Sequence, residues 1–282
     1  MAAILKGKPV ADAMRARMQQ TAEDLRARGV DPTLCVVRVG ERADDLSYEK
    51  GIVKRCAEVG VTLKKLILPE TVTQAALETA FSAVNDDPTV HGILVFRPLP
   101  KVLDAERIRT LLDPNKDIDG WTDGSLAGVF ANTAVGFAPC TAQAVVELLR
   151  HYGIDPKGKR AVVIGRSLVI GRPVSMLLMH ANATVTTCHT RTADVPALAR
   201  QADILVCAAG VMKSVTPDFV NPDQTVIDVG IHWDAEKNAL AGDVDFDAVA
   251  PLVKAITPVP GGVGSITTCV LLDHVLTAAQ RQ

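Results

Sequence analysis

AVVIGRSLVIGRPVSMLL, residues 161–178, decides the fold. Four apolar residues run into Gly165, five residues separate that glycine from Gly171, and Pro173 stands where a helix would take its first turn. A buried strand, a tight turn and a helix in this order are how a dinucleotide-binding unit opens. Gly165 lets the turn pass close to a ligand, and the unpaired N–H groups and positive dipole end of the helix suit a pyrophosphate. The spacing is not GxGxxG, and two glycines after a strand can equally do no more than end it.

Outward from this stretch, strand and helix patterns keep alternating. Downstream, residues 183–188 (ATVTTC), 203–210 (DILVCAAG) and 225–230 (TVIDVG) read as short buried strands, and residues 142–152 (AQAVVELLRHY) as a helix ahead of the first strand. Upstream, Val10, Met14, Met18 and Leu25 recur near helical spacing and stop at Gly29. Residues 33–40 (TLCVVRVG), 61–68 (VTLKKLIL) and 91–96 (HGILVF) read as strands. Ile52, Val53, Cys56 and Val59 mark a helix to Gly60, and Thr71 with Gln74 resembles a capping box before Leu77, Phe81 and Val84. The text from Arg97 to Gly136 is irregular and rich in turn formers, which predicts a working loop and a cleft. The expectation is an α/β protein of two domains around that cleft. Ile266 to Leu276 reads as a helix returning to the first, so residues 1–140 plus 266–282 form one domain and 141–265 the other.

The 282 residues suffice for two ordinary cores. Thirty Lys and Arg against thirty-two Asp and Glu leave a net charge of −2, with no global attraction to nucleic acid or anionic lipid. No stretch approaches eighteen apolar residues, so no membrane span is expected. The six cysteines form no CxxC and no zinc spacing; free buried thiols, no metal and a cytoplasmic location are the reading.

Four places carry chemistry. After the second strand of the downstream series stands CHTRT (188–192), where enzymes specific for NAD usually carry an acid for the ribose hydroxyls. Arg166 and Arg191 can instead face a 2′-phosphate, which favours NADP, or be two solvated surface arginines. TPVPGGVGSIT (257–267) makes a rigid turn whose backbone can approach a flat ligand, or a plain connector. In DIDGWTDG (117–124), Asp119 can accept paired hydrogen bonds from an amidine-like edge or simply form a turn, and Tyr48 is either a buried aromatic or a substrate-facing one.

GRSLVIGRP, TVIDVGI and TPVPGGVG, with PLP, DIDG and PCT upstream, resemble in order and separation the methylenetetrahydrofolate dehydrogenase/cyclohydrolase family, over nearly the whole chain. The resemblance implies a folate-binding catalytic domain, a Rossmann-type NADP-binding domain and a homodimer. It also implies oxidation of 5,10-methylenetetrahydrofolate to the methenyl compound, then hydrolysis to 10-formyltetrahydrofolate, in one site. Carried over by position, Asp119 matches the family's pterin-holding Asp and Tyr48 its active-site Tyr. Pro260, Gly261 and Gly262 fall on the substrate side. Gly165, Arg166 and Ser167 match the cofactor turn, and Thr190, Arg191 and Ile231 border the cofactor.

Two departures stand out. Four residues after the Tyr the family has a Lys, here Ile52; before LPLP it has a Gln supporting that Lys, here Phe96. Lys50 and Lys54 point about 160° and 120° away from Tyr48 around a helix. Arg97, next to Phe96, is expected to face the opposite side of a strand. Ile52 with Phe96 makes an apolar pair, where either polar partner alone would be left unsatisfied at about 1–3 kcal/mol. The expectation is a dehydrogenase whose cyclohydrolase activity is absent or much weaker. Full bifunctionality and a non-catalytic folate- or nucleotide-binding relative are the alternatives.

Overall fold

The β-branched runs bounded by glycine form parallel strands in a computed structural model that describes residues 2–281. In chain order, β1 (Ala3–Ile4) and α1 (Gly7–Ala27) lead to β2 (Thr33–Val39), α2 (Ala43–Val59), β3 (Thr62–Leu68), α3 (Gln74–Asp86), β4 (Gly92–Val95), α4 (Ala105–Leu111) and α5 (Asp123–Ala131). There follow α6 (Cys140–His151), β5 (Arg160–Ile164), α7 (Gly171–His180), β6 (Thr184–Cys188), α8 (Val195–Ala199), β7 (Ile204–Cys207) and β8 (Thr225–Asp228). A hairpin of β9 (His232–Asp234) and β10 (Ala239–Ala241), then α9 (Phe246–Val249), β11 (Ala255–Ile256) and α10 (Thr267–Arg281), complete the chain. The elements fall into two units: Ala13–Cys140 with the residues from Thr268 on, and Thr141–Thr267 with the residues up to Asp12.

In the first unit the sheet runs β3-β2-β4, all parallel. Every residue of β2 is buried, so the strand shows no alternation, as expected where both faces of a parallel sheet are covered. Phe81, Ile93 and Ile108 form part of its core. On α2 the buried positions are Glu49, Ile52, Cys56 and Val59, one helical stripe that contains a charge. The Glu49 carboxylate accepts from Arg38 Nε on β2 at 2.9 Å and from Lys65 Nζ on β3 at 2.6 Å. Both strands therefore hold the helix that carries Tyr48. The cap of α3 is Thr73, whose Oγ1 accepts from Ala76 N at 3.3 Å, and not Thr71. Gln74 cannot close a box there, because its Oε1 accepts from Asp104 N at 2.8 Å and its amide donates to Glu78 at 2.7 Å.

In the second unit six parallel strands take the order β1-β11-β8-β7-β5-β6. Here the structure departs from the expected boundaries: residues up to Asp12 join this unit and not the first. Ala3 N donates to Lys254 O at 2.9 Å and Leu5 N to Ile256 O at 2.8 Å, so main-chain bonds place β1 beside β11. Residues from Thr268 on, most of α10, lie with the first unit. All six cysteines are buried free thiols. No helix among the described residues is long and apolar enough to cross a membrane, and among them no group of three His, Cys, Asp or Glu could hold a metal.

Burial opposes ionisation of Glu49, but the bonds from Lys65 and Arg38 hold its carboxyl below the usual range. Its contribution is therefore present above the unfolded pKa and lost as pH falls through the folded one. Glu49→Ala leaves the Arg38 guanidinium, whose side chain is 4% exposed, with the Gly40 carbonyl but without its anion. We expect urea unfolding at pH 7 to show a loss of about 3–5 kcal/mol, with a smaller loss in acid.

Candidate functional site

The loop that carries Asp119 is built around Asp117. This carboxylate is 1% exposed and accepts from Trp121 N at 3.0 Å, Thr122 N at 2.7 Å and Ser125 Oγ at 2.7 Å. Just before it, Lys116 O accepts from Ile93 N at 2.8 Å, which ties the loop to β4. Gly120 turns the chain at φ +67°, where a Cβ would stand 2.4 Å from Pro139 N, so only glycine fits. The loop so fixed presents Asp119, and its Oδ2 accepts from Arg97 Nη2 at 2.7 Å. The Arg97 guanidinium also sits 4.7 Å from the centre of the Trp121 ring, within cation–π range. Burial pushes the Asp119 carboxyl up; Arg97 pulls it down and Asp117 pushes it up, and the net direction is upward.

Behind the loop, the Cys140 thiol donates to Ile118 O at 3.3 Å, and His274 Nδ1 lies 2.8 Å from the same oxygen. Burial, then Asp119, raise that thiol well above its ordinary range, so it stays protonated. Tyr48 lies with Phe96, ring centres 5.4 Å apart. Burial, then the Asp119 carboxyl and the Cys140 thiol, push its phenol up, in the direction of a neutral hydroxyl. The residue nonetheless keeps 45% of its surface exposed, an open side on which a ligand can lie. Ile52, one turn along α2, is fully buried and Phe96 is 5% exposed. Lys50 is exposed, and the Lys54 side chain is 78% exposed with its Nζ 3.9 Å from Glu58.

Arg97 corrects the sequence expectation. β4 ends at Val95, so strand alternation no longer governs residues 96 and 97. Phe96 turns to Tyr48 while Arg97 reaches Asp119. The signal that finds it is the end of the strand, marked by Pro98.

In the second unit, Gly165 follows β5 with φ +119°, and a Cβ there would stand 2.0 Å from Ala208 O. Ser167 Oγ accepts from Ile170 N at 3.1 Å and Gly171 N at 3.4 Å, at the entry to α7. Arg166, Thr190 and Arg191 are exposed, and neither arginine makes an ion pair among the described residues. Ile231 and Pro260, Gly261 and Gly262 line one cavity of about 250 Å³ with Leu240 and Asp228. The close-packed turn, the helix N-terminus and two unpaired guanidiniums fit a phosphorylated dinucleotide. Burial raises the Asp228 carboxyl to about 6, against N–H donors from Val244, Asp243 and Gly230 that favour its charged form.

Comparison with known proteins agrees with both halves. The family model described as "Tetrahydrofolate dehydrogenase/cyclohydrolase, catalytic domain" matches residues 5–119, and the family's NAD(P)-binding domain matches residues 139–282. A bifunctional protein FolD of Carboxydothermus hydrogenoformans is 49% identical, over 99% of this chain and 98% of its own. The crystal structure of the FolD methylenetetrahydrofolate dehydrogenase/cyclohydrolase of Campylobacter jejuni superposes with a TM-score of 0.94 at 36% identity, covering 100% of this chain and 99% of that one. The Trypanosoma brucei enzyme, solved with NADP and an inhibitor, gives 0.89 at 35%, covering 99% and 98%. The chain thus belongs to the tetrahydrofolate dehydrogenase/cyclohydrolase family.

Proposed function

We propose that this chain is an NADP-dependent methylenetetrahydrofolate dehydrogenase that has lost, or nearly lost, the cyclohydrolase step. The observation that carries the reading is the fully buried Ile52 together with Phe96, packed on Tyr48, where the family's Lys and Gln would stand. Asp119 would accept the amidine edge of the pterin, and Pro260, Gly261 and Gly262 would border the substrate. Gly165, Arg166, Ser167, Thr190, Arg191 and Ile231 would hold the cofactor. Bound NADP supplies the hydride acceptor. The hydride step removes H⁻ from the one-carbon bridge and leaves a methenyl cation. It asks the protein for position and exclusion of water more than for proton transfer. Tyr48, as a neutral phenol, can orient the substrate without titrating.

Hydrolysis is different. Water adds to the methenyl carbon, a proton must leave that water, and a ring nitrogen must be protonated as its C–N bond breaks. A positioned acid–base group contributes about 10²–10⁴ to such a step. Tyr48 and Cys140 are pushed up, away from that use, and a guanidinium offers only donors. Lys54, beside Glu58 and exposed, is on the wrong side of α2 to replace the missing lysine. A homodimer in the cytoplasm belongs to the same reading; light scattering tests the dimer by mass.

Two measurements decide. With methylenetetrahydrofolate and NADP the protein reduces the cofactor, while methenyltetrahydrofolate decays at its buffer-catalysed rate. Enzymatic hydrolysis that disappears in Lys54→Met would overturn the second half. The double variant Ile52→Lys/Phe96→Gln, which restores both partners at once, is expected to raise hydrolysis by at least roughly tenfold. For the cofactor, Arg191→Ala should raise the KM for NADP roughly tenfold or more and leave that for NAD little changed, since a bond to a charged group is worth about 1.5–3 kcal/mol. Equal effects on both cofactors would remove Arg191 from the 2′-phosphate.

A further inference from the structure

We propose that Arg97 is a positioning residue for the folate: seated on the Trp121 ring, it aims the Asp119 carboxylate, as an anion, at the amidine edge of the pterin. This rests on the folate reading above and adds to it a residue that touches Asp119 and not the reacting carbon.

Geometry carries the argument. Arg97 is held at two points, by Asp119 Oδ2 at 2.7 Å and by the Trp121 ring at 4.7 Å. Both partners come from the one loop whose backbone Asp117 fixes, since Trp121 N itself donates to Asp117 Oδ1. The guanidinium therefore cannot swing without giving up either the ion pair or the ring. A carboxylate has about four lone-pair sites on its two oxygens. With one taken by Nη2, about three remain, enough for the two parallel N–H donors of an amidine edge, and the fixed oxygen sets the plane in which they lie.

Charge adds the second half. The groups around Asp119 are Arg97, Asp117, Cys140 and Tyr48. Asp117 is an acid, the thiol and the phenol are neutral, and burial disfavours the anion. Arg97 is the cation that opposes them. A protonated Asp119 would turn one acceptor into a donor facing the pterin's own donors, so the ion pair protects binding where pH falls. Guanidinium stays charged throughout the working range and can lie flat on indole while bonding a carboxylate, which an ammonium does less well. The contrary possibility is that the ion pair competes with the pterin and must break before it binds.

The test is steady-state kinetics of Arg97→Leu with methylenetetrahydrofolate and NADP from pH 5 to 8, beside wild type. We expect the KM for the folate to rise roughly tenfold, kcat to change less than about twofold, and the acid limb of kcat/KM for the folate to move up by about one pH unit. The KM for NADP should stay unchanged. Arg97→Lys should return the limb most of the way while leaving part of the KM defect. If Arg97→Leu does not fold by circular dichroism, Arg97→Gln, planar and uncharged, carries the same expectation. An unmoved acid limb, or a folate KM that is unchanged or lower, overturns the proposal and makes Arg97 a bystander or a competitor. Failure of the folate reading is separate: wild type would then not reduce NADP with this substrate at all.

Discussion

The site depends on one buried carboxylate whose side-chain bonds go to its own loop and the start of α5. Asp117 satisfies two backbone donors and a hydroxyl, closes the start of α5, and sits at the end of a main-chain link to β4. Leaving three such donors unpaired in a protein interior would cost on the order of several kcal/mol. The loop consequently has one conformation available to it. Asp119 and Trp121 follow two and four residues later, and Arg97 comes to them from the far end of β4. The loop is irregular in sequence but bonded like a secondary-structure element, which is how a surface connection can hold a functional group rigidly.

Much of the fold was legible because it is written in side chains. Strands buried on both faces leave runs rich in β-branched residues, as in β2 and β5, and helix ends leave glycines such as Gly29 and Gly60. What could not be read depends on main-chain bonding or on partners far away in sequence. β1 is two residues long and joins the second unit through peptide groups that any sequence possesses. The cap of α3 moved to Thr73 because Gln74 was already engaged by Asp104, thirty residues on. No spacing along α2 singles out Glu49; the structure brings Arg38 and Lys65 to it.

The candidate site shows the same division. Tyr48 and Asp119 fall in one unit and the glycine turn at 165 in the other, and the Asp119 carboxyl is near enough to Tyr48 to push its phenol up. Arg97 departs from the expected direction for a specific reason: it stands two residues past Val95, the last residue of β4, where alternation no longer holds. At the end of a strand the side-chain direction is set by whatever partner is available. Here Phe96 finds an aromatic ring and Arg97 finds an anion.

Ile52, Phe96 and Arg97 are best understood together, as a distribution of polarity within one unit. Ile52 and Phe96 are buried, and the Phe96 ring lies against Tyr48, where the resemblance would place a titratable nitrogen and the amide that steadies it. At the neighbouring position a permanent cation stands on the Asp119 carboxylate. A lysine at position 52 can gain or lose a proton near neutral pH when buried, whereas an arginine cannot. On the function proposed above, the arrangement would keep positive charge where a carboxylate needs to stay ionised and leave the helix face beside it without a proton-transfer group. Binding of a polar heterocycle asks only for the first. Opening its one-carbon bridge with water asks for the second, and the side chains that remain around Tyr48 are a phenol and a thiol both pushed away from ionising.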